Sequence, residues 1–170
     1  LLHKGGECGI VIPSGIYTDL GAKGLRDLLF NDNQVTGLFC FENRKEIFEG
    51  VHRSFKFVVM TFEKGGPTER FPGAFMRHDV AELRGFPGEI GLPLSVELIR
   101  RLSPDSHSVM EFNSALDIHI AEKMLKFPLL GEKIEGKWNL AFIREFDMTN
   151  DSKLFKTEAL NGRLALYALY

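Results

Sequence analysis

Residues 5–30, GGECGIVIPSGIYTDLGAKGLRDLLF, constrain what this chain can fold into more than any other stretch. Gly5 and Gly6 make a turn. The run Gly9-Ile10-Val11-Ile12 is short, apolar and β-branched, which predicts a strand covered on both faces. Pro13 has no amide to give a sheet ladder, so the strand ends there. Thr18 and Asp19 are residue types that open helices, and Leu25, Leu28 and Leu29 then recur on one helical stripe. Strand, loop and helix in this order are half of a βαβ unit. Open α/β sheets bind ligands where such strands end, so Pro13-Ser14-Gly15 is the first place to expect a site.

The remaining segments extend that sheet. Residues 34–41, QVTGLFCF, and 55–62, FKFVVMTF, carry the β-branched and aromatic content of strands. The polar run Glu42–Glu46 and the segment after it leave too little chain for a crossover helix, so these two strands are expected to pair antiparallel. Residues 71–76 predict a short strand and Asp79 to Leu83 a small helix. Ser95 caps a helix whose Leu98, Ile99 and Leu102 share a face, with Arg100 and Arg101 on its solvated side. A further short strand is expected at 108–112. Ser114 with Asp117 forms a capping box, and Leu116, Ile120 and Met124, beside Ala121, predict the apolar stripe of a helix ending before Pro128. Residues 138–146, around Trp138, Leu140, Phe142 and Ile143, predict another strand.

A composition of 44% hydrophobic and 26% charged residues describes a folded domain, and a net charge of -2 demands no polyanionic partner. It does not exclude one, because local patches matter more than totals. No apolar run approaches a membrane span. Cys8 and Cys40 lack metal-ligand spacing and fall in expected strands, which makes them small core residues in a reducing, cytoplasmic setting. His3, His52, His78, His107 and His119 contain no pair at a zinc spacing, so no metal site is expected. There is no Gly-x-Gly loop and no Gly-x-Ser-x-Gly elbow. The chain opens on LLHKGG and closes on LALYALY. Both ends read as cut, and an internal piece of a longer protein is the expectation.

The ordered set of IVIPSGIYTD, the helix to Phe30, the strand through Phe41 and KEIFEGVHRSFKFVVMTFEK resembles the back half of the catalytic domain of adenine-specific, S-adenosylmethionine-dependent DNA methyltransferases. The likeness is to the large bacterial type IIG restriction–modification and phage-defence methylases. The segment REFDMTNDSKLF, residues 144–155, is similar to the stretch joining such a domain to its target-recognition domain. The tail departs from the Pro-x-Tyr-Glu-Gly run of those relatives. The resemblance implies an α/β fold: the C-terminal part of a doubly wound sheet with an antiparallel last hairpin (residues 1–78), followed by an α+β connecting segment (79–170). It implies methyl transfer from S-adenosylmethionine to the exocyclic amine of adenine in double-stranded DNA. The cofactor's glycine loop and the amine-binding tetrapeptide would precede Leu1, so no catalytic residue is expected within the chain.

The resemblance places one aromatic residue, Phe48, where the family stacks a flipped base, with His52 and Arg53 positioned for phosphate and Pro13 and Ser14 at the strand end. Among 15 phenylalanines a core role for Phe48 is the plain alternative. A non-catalytic scaffold between catalytic and recognition domains is the alternative for the whole chain. A sheet cut at its parallel side is also expected to dimerise or to sit against a neighbour through that side.

Overall fold

The computed structural model describes residues 2–137, 140, 147, 150–160 and 163–168. The chain divides into two compact units, Leu1–Phe127 and Pro128–Tyr170. The first is a mixed α/β domain. Its elements are β1 (Glu7–Pro13), a single helical turn α1 (Gly15–Thr18), α2 (Lys23–Asp32), β2 (Asn33–Glu42), β3 (Lys56–Lys64), β4 (Arg70–Arg77), β5 (Leu92–Ser95), α3 (Val96–Leu102) and α4 (Ala115–Met124). The second unit holds an antiparallel hairpin of β6 (Phe155–Leu160) and β7 (Arg163–Ala168).

The five strands of the first unit form one sheet in the order β1-β3-β2-β4-β5. β3 runs antiparallel to both β1 and β2, so it lies inserted between two strands that are parallel to each other. β4 continues parallel to β2, and β5 closes the sheet antiparallel to β4. The expected common sheet of the first three strands is therefore present, and the antiparallel pairing of β2 with β3 follows from their short connection.

Strand alternation separates two cores. On one face Phe39, Phe41, Phe57 and Ala74 are buried against Leu83, Phe86 and Ile90, and Ile47 joins them from the β2–β3 loop. On the other face Tyr17, Leu29, Phe30, Leu38, Met60 and Phe71 close around a void of about 10 Å³. Ring contacts bind this second face, with Phe30 stacked on Phe71 at 5.9 Å and Tyr17 tilted against Phe75 at 6.1 Å. Residues 80–95 cover or extend the sheet itself, so the stretch after residue 78 shares a compact unit with the strands before it.

Several expectations are corrected. β1 is an edge strand and is not covered on both faces: Ile10 is 40% and Val11 55% exposed. The reason is that α2 packs back onto β2, and β1 has only β3 as a partner among the described residues. α2 starts at Lys23, after a separate 3-10 turn at Leu20–Ala22, and Thr18 and Asp19 do not cap it. Its buried residues are Arg26, Leu29 and Phe30, while Leu25 and Leu28 face solvent. α4 has its capping box, but it buries Ile118 and Ala121 and leaves Leu116, Ile120 and Met124 exposed. No strand forms at 108–112; Val109 instead donates its amide to Tyr17 O at 2.9 Å. The expected strand at 138–146 lies outside the described residues, Leu140 apart, as do residues 144–146, 148 and 149 of the junction segment.

Packing requires glycine at position 37. Gly37 sits at the register shift of β2, and a Cβ there would lie 2.7 Å from the Phe86 ring and 2.9 Å from the Thr61 hydroxyl. Both neighbours are held, Phe86 by an edge contact with Phe39 at 5.3 Å and Thr61 by a hydrogen bond to Thr36 at 2.8 Å. Gly37→Ala is expected to cost about 1–3 kcal/mol through overpacking, measured as a lower urea midpoint with unchanged slope.

Candidate functional site

The parallel strands β1, β2 and β4 end on the same edge of the sheet, and β3 begins there. Two loops meet at this edge. The first is Pro13–Asp19, which leaves β1. The second is 43–55, which joins β2 to β3. Their meeting is fixed by register: Pro13 pairs with Phe57, and the Ser14 amide adds one more bond, to Lys56 O at 3.1 Å. The result is an open groove of about 490 Å³, with Pro13, Ser14 and Thr18 on one side and His52, Ser54 and Lys56 on the other. Of the expected site residues, Pro13, Ser14 and His52 are brought together here. Phe48 and Arg53 belong to the same loop but do not line the groove.

The first loop is held from beneath by a group that periodicity did not reveal. Arg26, 1% exposed, donates to Ile16 O at 2.9 Å, to Asp19 O at 2.6 Å and to Ser106 O at 2.7 and 3.2 Å. A guanidinium presents donors in a fixed fork, so one side chain ties α1, the following turn and residue 106 together. Burial pulls its pKa below the ordinary arginine value, against the pull of Asp19 and Asp27.

A second buried network backs the groove. Tyr17 Oη lies 2.8 Å from Cys40 Sγ and donates to Glu111 Oε1 at 2.8 Å. Lys56 Nζ donates to Glu111 Oε2 at 2.6 Å. Burial, then the Cys40 and Glu111 contacts, push the Tyr17 hydroxyl far above the usual phenol range. Burial likewise raises the Cys40 thiol, so Cys40 is the inert core residue expected of it. The Glu111 hydrogen bond raises Lys56.

In the second loop, Phe48 is 45% exposed and meets the core only edge-on, its centroid 4.9 Å from Phe57 at 75°. Neither a fully buried phenylalanine nor a free one, it rests on the aromatic cluster and leaves much of its ring in solvent. His52 Nδ1 accepts from the Ser54 amide at 3.2 Å and lies 2.7 Å from Ser54 Oγ. An accepting Nδ1 leaves Nε2 as the protonated nitrogen of the neutral ring. Arg53 donates from Nε and Nη2 to Glu46 Oε1, both at 3.1 Å, in an exposed pair. Such a pair contributes little to stability, and a phosphate can replace the carboxylate. At the loop's root Glu42 is buried and accepts from Arg44 at 2.8 Å, with His78 at 3.2 Å. Arg44 first, then His78, hold its carboxyl below the usual range.

Among the described residues no His, Cys, Asp and Glu group could hold a metal ion, and no helix is long and apolar enough to cross a membrane. S-adenosylmethionine, which the sequence resemblance implies, does not fit these residues alone. The groove is open, whereas cofactor sites bury most of their ligand.

No family model and no curated protein matches the chain. Among solved structures it is similar to the M protein of the type I restriction enzyme EcoKI, at 14% identity and a TM-score of 0.48, over 74% of this chain and 39% of that one. A structure from work on assembly and conformational transition of the type I R-M system gives 14% identity and 0.47, over 73% and 33%. A modification subunit of a type I restriction enzyme from Vibrio vulnificus gives 12% and 0.44, over 55% and 23%. The chain thus spans 23% to 39% of the length of these structures.

The Lys56–Glu111 contact has a definite alkaline signature. A lysine raised on folding stabilises fully below its ordinary value, 10.5, and that stability is lost as pH climbs through the folded value. Glu111→Gln keeps an acceptor for Tyr17 but removes the charge. It is expected to lower stability at neutral pH by about 1–2 kcal/mol, discounted for partial exposure. It should also flatten the decline above pH 10.5, read from denaturant melts across pH.

Proposed function

We propose that this chain is part of a DNA methyltransferase that moves a methyl group from S-adenosylmethionine to the exocyclic amine of adenine, within a restriction–modification or phage-defence system. The observation that carries this is Phe48. It is a half-exposed ring supported edge-on by the core, on a loop at the carboxyl edge of the sheet, beside a groove lined by Pro13, Ser14 and His52. The residues around it are those of the sequence resemblance. Enzymes that modify a base within a duplex must extrude it, and an aromatic face compensates for the lost stacking.

In this reading Phe48 receives the flipped adenine. His52 and Arg53 meet the DNA backbone, with Arg53 exchanging Glu46 for a phosphate. Pro13 and Ser14 border the target nucleotide. The cofactor would be held mainly by residues outside this chain. Residues 79–170 would lead toward a target-recognition domain. The test is to express the full-length protein containing this chain in a host without adenine methylation and to sequence its DNA for N6-methyladenine. Methylation confined to one short motif is expected. Unmethylated DNA, with the protein soluble and supplied with cofactor, would overturn the proposal.

Phe48 gives a sharper test with the motif in hand. A base–aromatic contact is worth roughly 1–3 kcal/mol, so Phe48→Ala is expected to weaken binding of the target duplex by about one to two decades. The loss should shrink where the target adenine is mispaired, because extrusion then costs less. A core phenylalanine would instead show a large stability loss and no difference between duplexes. Fluorescence anisotropy on both duplexes, beside a thermal melt, separates the two.

A further inference from the structure

Asn43 is 0% exposed, although it opens a polar surface loop directly after β2. Its side chain makes three hydrogen bonds. Oδ1 accepts the amide of Phe48 at 2.9 Å, and Nδ2 donates to Phe48 O at 2.9 Å and to Val51 O at 2.9 Å. The carboxamide therefore takes both backbone groups of Phe48, as a neighbouring strand residue would. Its own amide closes the loop from the other side, donating to Phe55 O at 2.9 Å, and its carbonyl accepts from Glu46 at 2.9 Å. Glu46 turns the chain through a left-handed conformation at φ 53°.

Few side chains can do this. Two donors and an acceptor at one methylene's reach belong to asparagine alone. Aspartate would set a carboxylate against two carbonyl oxygens, and leucine would leave the Phe48 amide and the Val51 carbonyl without the partner that Asn43 supplies. Between Glu46 and Ser54 the backbone forms no strand pairing; the Val51 amide reaches Phe48 O at 3.4 Å, and Asn43 holds both backbone groups of Phe48 at the shorter 2.9 Å.

We propose that Asn43 is the positioning residue for Phe48: it fixes the loop so that the exposed ring is already oriented for the base it meets. This rests on the reading of Phe48 as the stacking platform. Binding to an ordered ring avoids the entropy of immobilising it at the moment of contact, so loss of Asn43 should weaken DNA binding chiefly through Phe48, the residue it bonds twice.

The experiment is a double-mutant cycle in the full-length protein, on the duplex identified by methylation sequencing. Asn43→Ala is expected to weaken binding about tenfold in the wild-type background and less than twofold in the Phe48→Ala background. Its effect on melting temperature should persist in both. Equal weakening in both backgrounds would overturn the proposal, since Asn43 would then act through general stability. Asn43→Ser, which keeps a short polar side chain without a charge, serves if the alanine variant does not fold. Hydrogen exchange supplies the arm that needs no DNA. The Phe48 amide should be protected in the wild type and exchange at least tenfold faster in either Asn43 variant. An unprotected wild-type amide would overturn the proposal. Protection lost on mutation, with Phe48→Ala itself leaving binding unchanged, would uphold Asn43's hold on the loop and retire the stacking role.

Discussion

The carboxyl edge of this sheet depends on β3 pairing antiparallel with two parallel strands at once. Phe57 sits at the centre of that arrangement, opposite Pro13 on one side and Phe41 on the other. The first pairing brings the end of β1 against the start of β3 and makes the groove. The second stacks Phe57 on Phe41 at 5.2 Å, which builds the aromatic floor that Phe48 meets edge-on. A one-residue slip of β3 would turn Phe57 to the opposite face. Core, groove and exposed ring would then be lost together.

Stretches with a single apolar period were legible. β2 and β3 announced themselves by their β-branched and aromatic content, and the capping residues Ser95 and Ser114 cap the helices assigned to them. α4 shows where periodicity fails. Its sequence contains two apolar rows, Leu116-Ile120-Met124 and Ile118-Ala121-Leu125, and helical spacing cannot say which one the domain covers. The covering expected of β1 failed for a related reason. An apolar, β-branched run marks a strand that can be covered, and the cover is supplied by neighbours that its own residues do not encode.

The site was legible as a place more than as a mechanism. Strand-end logic pointed to Pro13 and Ser14 and the family resemblance to Phe48, His52 and Arg53; of these, Pro13, Ser14 and His52 line one groove. What it missed are polar residues turned inward. Asn43 stands in the run Glu42-Asn43-Arg44-Lys45-Glu46, whose composition reads as a solvated loop, yet both Glu42 and Asn43 are buried. Arg26 interrupts a leucine-rich helix and reads as its solvent face. Tyr17, Lys56 and Glu111 are joined across long separations, which no local pattern exposes. Such residues are found by asking which backbone groups the loops leave unpaired.

Arg26 has a further consequence. Its bonds go to the carbonyl oxygens of Ile16, Asp19 and Ser106, while the carboxylates of Asp19 and Asp27 favour its charge. Peptide groups whose oxygens point inward at a cation turn their amide ends away from it. The same fork makes the loop at the end of β1 answer to residue 106, 80 positions along the chain from Arg26, so a change in either segment is felt in the other.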